Sequence, residues 1–129
     1  MINHYMQMAL DLASKSTAVK LQVGTIIVKD GVVLSDGRNG TPSGWNNICE
    51  HEGMSKPEVF HAEENAILKL AKGTGSGNGA ELYCTHAPCM ACAKLIYGAG
   101  IIRVYWKTEY RNTHGLDFLK QCNIETIKV

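Results

Sequence analysis

Two short stretches constrain this chain more than any others. One is Pro88-Cys89-Met90-Ala91-Cys92, and the other, upstream, is His61-Ala62-Glu63. Cysteines at i and i+3 on a helical turn point the same way, so Cys89 and Cys92 can grip one ion. Pro88 suits the first position of a helix, where its missing N–H is not needed. Both thiols then fall in the first turn, where the positive end of the helix dipole favours thiolates. His61 adds an imidazole. Two thiolates and one neutral imidazole match the ligand count of a catalytic zinc site, which keeps a fourth position for water; a structural site would want a fourth protein ligand.

Any fold must therefore bring residues 61–63 against residues 89–92. Residues at i and i+2 do not share a face in mid-helix. His61 and Glu63 can converge at a helix N-terminus, where both side chains fold around the open end. The expected arrangement is a metal between the N-termini of two adjacent helices. Zinc held by two thiolates and a neutral histidine is formally neutral and acidifies water less than a tris-histidine site does. A carboxylate beside it helps to take the proton. Glu63 suits that role better than the role of fourth ligand, which would close the site. Glu64 leaves the helix about 100° away and is expected to be solvated or supporting.

The remaining elements follow from periodicity. Tyr5, Met8, Ala9, Leu12 and Ala13 recur at helical spacing and predict a helix over roughly residues 3–15. Val23–Val28 is β-branched and reads as a buried strand. Asp30-Gly31 signals a hairpin turn, with Val32–Ser35 as the return strand. Residues 37–45 are too rich in Gly and Pro for a regular element, and the loop is expected to continue through Glu52. A helix follows His61 and ends near Lys72-Gly73, and the glycine-rich residues 73–79 read as a flexible connection. Strands are expected at 80–85, 101–106 and 124–129, with helices over 89–99 and around Leu116, Phe118 and Leu119. Cys84 is expected in the core. His86 either lines a pocket or is a structural histidine.

The strand–helix–strand units after residue 61 imply parallel neighbours, and the opening hairpin adds an antiparallel pair. The prediction is an α/β three-layer sandwich: a five-stranded mixed sheet with helices on both faces. The 129 residues favour one domain, 1–129. The formal charge of +1 implies no strong field toward nucleic acid or membranes. Apolar runs are far shorter than a membrane span, and Met1-Ile2-Asn3-His4-Tyr5 lacks a signal-peptide pattern. Five cysteines, an odd number that includes a C-x-x-C pair, argue for thiols in a reducing cytoplasm.

His61-Ala62-Glu63 followed by Pro88-Cys89-x-x-Cys92 resembles the signature of the zinc-dependent cytidine and deoxycytidylate deaminases. Gly37-Arg38-Asn39-Gly40 resembles the Gly-Tyr-Asn-Gly loop of the deoxycytidylate branch, with Arg38 where Tyr is usual. His61–Ala66 favours the same branch. The resemblance covers nearly the whole chain and is weakest between residues 46 and 58. It implies a cytidine-deaminase-like sheet of strand order 2-1-3-4-5. It also implies a cytoplasmic hydrolase that converts dCMP to dUMP and ammonia and so supplies dUMP for thymidylate synthesis. His61, Cys89 and Cys92 would hold one catalytic zinc. Glu63 would move the protons while an activated water attacks C4 of cytosine.

By the same resemblance Asn39 helps to bind the nucleotide, the backbone at Ala87 meets the base near its exocyclic amine, and Tyr110 recurs beside the phosphate. Arg111 is placed with it as a phosphate ligand, because it follows a strand at the sheet's carboxyl end; the alternative is a solvated loop arginine. Some relatives carry a second, structural zinc, and Cys49 and His51 are candidate ligands for one. Ser16-Thr17-Ala18 lacks the cysteine those relatives show, so a second zinc is not expected. Homohexamers and allosteric control by dCTP and dTTP are implied by analogy. The zinc signature alone leaves open a deaminase acting on another base, or a non-catalytic zinc module.

Overall fold

The computed structural model covers residues 1–129. Helix α1 (Ile2–Ala13) buries Tyr5, Met6, Ala9 and Ala13. It stops two residues short of the expected span. The Ser14 hydroxyl donates to the Asp11 carbonyl at 2.6 Å, and the Lys15 and Ser16 N–H groups reach back only three residues, so the last turn tightens and ends.

Strands β1 (Gly24–Lys29) and β2 (Val32–Arg38) pair antiparallel. They turn through Asp30 and Gly31, at φ 51° and 76°, the paired positive φ that a two-residue hairpin of matching twist requires. β2 runs three residues further than expected. Gly37 and Arg38 belong to the strand, and a bulge lets Ile27 face Ser35 while Val28 faces Val33. Gly37 is in a strand because a helix sits on it: a Cβ there would lie 2.3 Å from the Ala62 carbonyl and 2.7 Å from the Ala66 nitrogen. The stretch expected as loop through Glu52 ends in the first strand of a small hairpin, β3 (Glu50–His51), which pairs with β4 (Met54–Ser55) just beyond it. It closes through Glu52 and Gly53, again both at positive φ.

The rest alternates as expected: α2 (Ala62–Lys72), β5 (Glu81–His86), α3 (Met90–Gly98), β6 (Arg103–Thr108), α4 (His114–Gln121) and β7 (Glu125–Lys128). The main sheet has the order β2-β1-β5-β6-β7. With the small hairpin set aside, this is the expected 2-1-3-4-5. β1 pairs antiparallel with β2 and β5, whereas β5, β6 and β7 are parallel.

Alternation along the strands divides the core. Ile27, Leu82, Cys84 and Val104 pack with Ala66, Ile67 and Leu70 of α2, Ala93 and Ile96 of α3, and Leu119 of α4. Ile26, Val28, Tyr83 and Tyr105 pack with Tyr5, Met6 and Ala9 of α1 on the opposite face. Helices therefore cover both faces of the sheet. Each fully buried Ile or Leu contributes about 1.5–3 kcal/mol. Gly37, Thr25, Cys84 and Trp106 are successive cross-strand partners, forming one row across four strands.

Candidate active site

Two of the three candidate metal ligands, His61 and Cys89, cap their helices. His61, at φ −75° and ψ 157°, is the N-cap of α2, and Cys89, at φ −73° and ψ 171°, is the N-cap of α3. Pro88 is thus not the first helical residue but the one before the cap. The first intrahelical bond runs from the Ala93 N–H to the Cys89 carbonyl at 2.9 Å, which makes Cys89 the boundary. Cys92 lies in the first turn and is buried. The N-terminus of α4 packs hard against this boundary: a Cβ on Gly115 would lie 2.1 Å from the Pro88 carbonyl.

His61 Nδ1 lies 3.3 Å from Cys92 Sγ and 3.6 Å from Cys89 Sγ, and the three donor atoms are all within 4.8 Å of one another. Tetrahedral zinc with bonds of about 2.0–2.3 Å separates neighbouring S and N ligands by about 3.5 Å. The trio fits such an ion in both donor type and spacing. Its protonation points the same way. Cys89 is pushed down to about 4, first by a hydrogen bond from Cys92, while Cys92 is pushed up by that sharing and by burial. His61 is raised, first by its hydrogen bond to Cys89. Three groups compete for too few protons, and a divalent cation displaces protons from such a cluster. His61 is exposed and Cys89 half-buried, so the ligand set opens to one side.

Glu63 is in the first turn of α2 and only 5% exposed. Burial pushes its carboxyl up to about 7. A carboxylate poised near neutrality can both take and return a proton. Glu64 points elsewhere: its Oε1 accepts the His61 N–H at 2.9 Å. This is one arm of a capping box, and the spacing of Glu64 three residues after a cap was the available sequence signal.

The other expected residues lie as follows. Both ends of the Asn39 amide are engaged within the protein, Oδ1 accepting the Val23 N–H at 2.9 Å and Nδ2 donating to the Leu21 carbonyl at 2.6 Å. Asn39 lines a polar cleft of roughly 360 Å³ together with Arg38, Gly40–Gly44, Thr17, Asn47, Asn65 and Lys69. Asn65, which sequence reasoning left unassigned, donates to the Arg38 carbonyl at 2.8 Å and ties that loop to α2. The Ala87 N–H donates to the Thr108 carbonyl at 2.8 Å, leaving its own carbonyl as the group it can offer.

Tyr110 and Arg111 follow Thr108 closely. The exposed Arg111 guanidinium lies 5.4 Å from the Tyr110 ring centroid and makes no ion pair with a carboxylate. His86 is half-buried at the end of β5, with Nδ1 3.2 Å from the Thr85 hydroxyl, and burial lowers its basicity. Cys49 is buried 3.5 Å from the Thr17 hydroxyl, whereas the His51 side chain is 79% exposed and faces Glu52.

Residues 1–108 match the profile of the cytidine and deoxycytidylate deaminase zinc-binding region. The chain is 39% identical to ComE operon protein 2 of Bacillus subtilis over 86% of its own length, and 32% identical to the deoxycytidylate deaminase of Schizosaccharomyces pombe over 95%. It spans 60% of the first relative's length and 42% of the second's. Among solved structures it is similar to the dCMP deaminase of the cyanophage S-TIM5 in complex with dCMP and dUMP. That likeness has a TM-score of 0.96 and 46% identity, covering 98% of this chain and 95% of the other. With its two ligand-bearing helix caps, its buried Glu63 and its sheet order, this chain belongs to the zinc-dependent cytidine and deoxycytidylate deaminase family.

Proposed function

We propose that this chain, as one deaminase unit spanning residues 1–129, hydrolyses dCMP to dUMP and ammonia. The observation that carries the reaction class is an open set of two sulfurs and one nitrogen beside a single buried carboxylate, Glu63. The substrate is supported by the likeness to the cyanophage enzyme, whose structure holds dCMP and dUMP.

His61, Cys89 and Cys92 hold the zinc, which when bound acidifies a water for attack on C4 of cytosine. Glu63 takes a proton from that water and delivers one to N3 as the C4–O bond forms. It then takes the second proton from the added oxygen and gives it to the departing amine as the C4–N4 bond breaks, so water enters, a carbonyl forms at C4 and ammonia leaves. The Ala87 carbonyl accepts from the exocyclic amine and orients the base. The Asn39 loop meets the sugar. Arg111, steadied over Tyr110, meets the phosphate by a forked, charge-assisted contact. Homohexameric assembly, control by dCTP and dTTP, a cytoplasmic location and supply of dUMP for thymidylate synthesis belong to the same proposal. No helix is long and apolar enough to cross a membrane.

Ammonia release from dCMP, deoxycytidine, cytidine, and adenine and guanine nucleotides tests it. Turnover of dCMP above the others is the expected result. Preference for deoxycytidine would overturn the substrate, and silence from a zinc-replete protein on all of them would overturn the enzyme itself.

A further inference from the structure

His86 is the last residue of β5. That strand runs parallel to β6 and β7, so His86 lies at the carboxyl ends where parallel strands present ligand sites. Only Ala87 and Pro88 separate it from Cys89. Three residues of chain reach at most ~11 Å, a gap that one nucleotide anchored at the ligand trio can bridge.

The bonds behind the ring decide which of its nitrogens carries the proton. Thr85 is only 2% exposed. Its hydroxyl oxygen accepts the Gly24 N–H at 3.1 Å. The hydroxyl proton then needs an acceptor of its own, and His86 Nδ1 stands 3.2 Å away. A proton on Nδ1 would leave that buried hydroxyl proton unpaired, at a cost in free energy. His86 is therefore the tautomer with Nδ1 as acceptor and its proton on Nε2. Burial lowers its basicity, so the ring is neutral at pH 7.

The opposite edge of the ring is free. Nε2 has no partner in the protein, yet no buried side-chain nitrogen or oxygen lacks one. Nε2 thus lies on the open side of the half-buried ring, an N–H donor whose direction the Thr85 hydroxyl fixes. The anchor of this donor is shared with the nucleotide loop. Gly24 follows Val23, whose N–H goes to Asn39 Oδ1 at 2.9 Å and whose carbonyl accepts the Asn39 N–H at 3.2 Å. His86 is tied through this dipeptide to the loop that meets the sugar. It is joined directly to Ala87, whose carbonyl meets the exocyclic amine.

We infer that His86 is a specificity residue of this site, its Nε2–H donating to an oxygen of the nucleoside part of the substrate, in the base or the sugar. The phosphate is not its target, because a neutral imidazole brings no charge and Arg111 already serves that group. The inference rests on the reading of the site as a nucleotide deaminase.

The test compares His86→Phe and His86→Gln in the zinc-loaded protein. The phenyl ring keeps the shape and loses both nitrogens. The Gln side chain is long enough to bring an amide N–H near the Nε2 position. His86→Phe is expected to raise KM roughly 2- to 12-fold, the range for one neutral hydrogen bond, with kcat and zinc content unchanged. The rise is equal for dCMP and deoxycytidine, and His86→Gln recovers most of it. A His86→Phe protein with wild-type KM overturns the inference, as does a rise confined to dCMP. Loss of kcat and zinc in both variants also overturns it, and marks a structural histidine.

Nitrogen NMR of protein with isotope-labelled histidine reads the contact without turnover. Among the five histidines, His86 is identified by the signal that His86→Gln removes. Its Nδ1 is expected to be unprotonated and its Nε2 protonated. Saturation with dUMP or deoxyuridine moves the Nε2–H signal, and inorganic phosphate alone does not. A proton on Nδ1, movement by phosphate alone, or a signal that no nucleotide moves overturns the inference. Where calorimetry shows dUMP bound in that last case, the substrate reading stands. A purine nucleotide that moves the signal where dUMP fails supports the donor and overturns the substrate reading alone.

Discussion

The Glu64 carboxylate accepts the backbone N–H of His61 at 2.9 Å. Adjacent acids on one helix therefore differ: Glu63 is buried in the first turn, within reach of the charges of His61 and Cys89, and Glu64 fastens the cap that carries His61. Glu64→Ala is expected to cost about 0.5–1.5 kcal/mol of stability, as for loss of a helix cap, while most of the turnover is kept. Glu63→Ala is expected to keep fold and zinc and to lose turnover by about 10²–10⁴-fold, the range for a general acid–base group. Equal loss of turnover in the two variants would refute this division.

The ligand trio predicts at least one tightly bound zinc per chain. Cys89→Ala and Cys92→Ala are each expected to abolish it and to lower stability by an amount on the order of several kcal/mol, because metal binding is coupled to folding. Elemental analysis beside urea unfolding checks both. Full zinc occupancy in either variant would remove that cysteine from the site.

Glu63 also predicts a pH signature in the metal-free protein. Its carboxyl is raised from 4.5 to about 7 in the fold. A raised value means that its contribution is intact below the unfolded value and is lost as pH climbs through the folded one. Wild type should therefore fall behind Glu63→Gln between about pH 4.5 and 7, by up to about 3 kcal/mol, with no further change above. Urea midpoints at stepped pH measure the gap between the two proteins. A gap that does not vary with pH would mean that Glu63 keeps an ordinary carboxyl.

Arg111 makes no ion pair with a carboxylate and stands over Tyr110, near the carboxyl end of β6. With a net charge of only +1 on the chain, attraction for a doubly charged phosphate must be local. Arg111→Ala should lower kcat/KM for dCMP by about 1.5–3 kcal/mol, roughly 10- to 150-fold, and barely alter that for deoxycytidine. Parallel losses on both substrates would indicate loop damage, and no loss on either would leave Arg111 to solvent.

Much of this was legible from residue patterns. Helical spacing marked the first helix, Asp30-Gly31 marked the hairpin, and the alternation of strands and helices after residue 61 forecast the parallel half of the sheet. The ligand set could be read because i and i+3 cysteines have one geometric meaning. The misses share a cause. Gly37 reads locally as loop, and only the helix pressed on it explains its place in a strand. Pro88 fits either side of a helix boundary, and the hydrogen bond to Cys89 decides which. The hairpin at residues 50–55 has strands too short for any alternation to show. Thr25 meets Cys84 only once the strand register is known, and register is set by tertiary packing.

The two helix caps have a further consequence, for the order in which the chain folds. His61 and Cys92 are separated by 31 positions, with one helix and one strand between them. An ion gripped at both ends closes this short segment without help from the N-terminal hairpin or the C-terminal strand. Closing a loop of that size restricts the unfolded chain by about 4 kcal/mol, as a disulfide of equal span does. A bound metal is thus expected to staple the segment α2-β5-α3 before the antiparallel strands dock. Supplying zinc during refolding should speed the step that builds α2, β5 and α3 more than the step that completes the sheet edges.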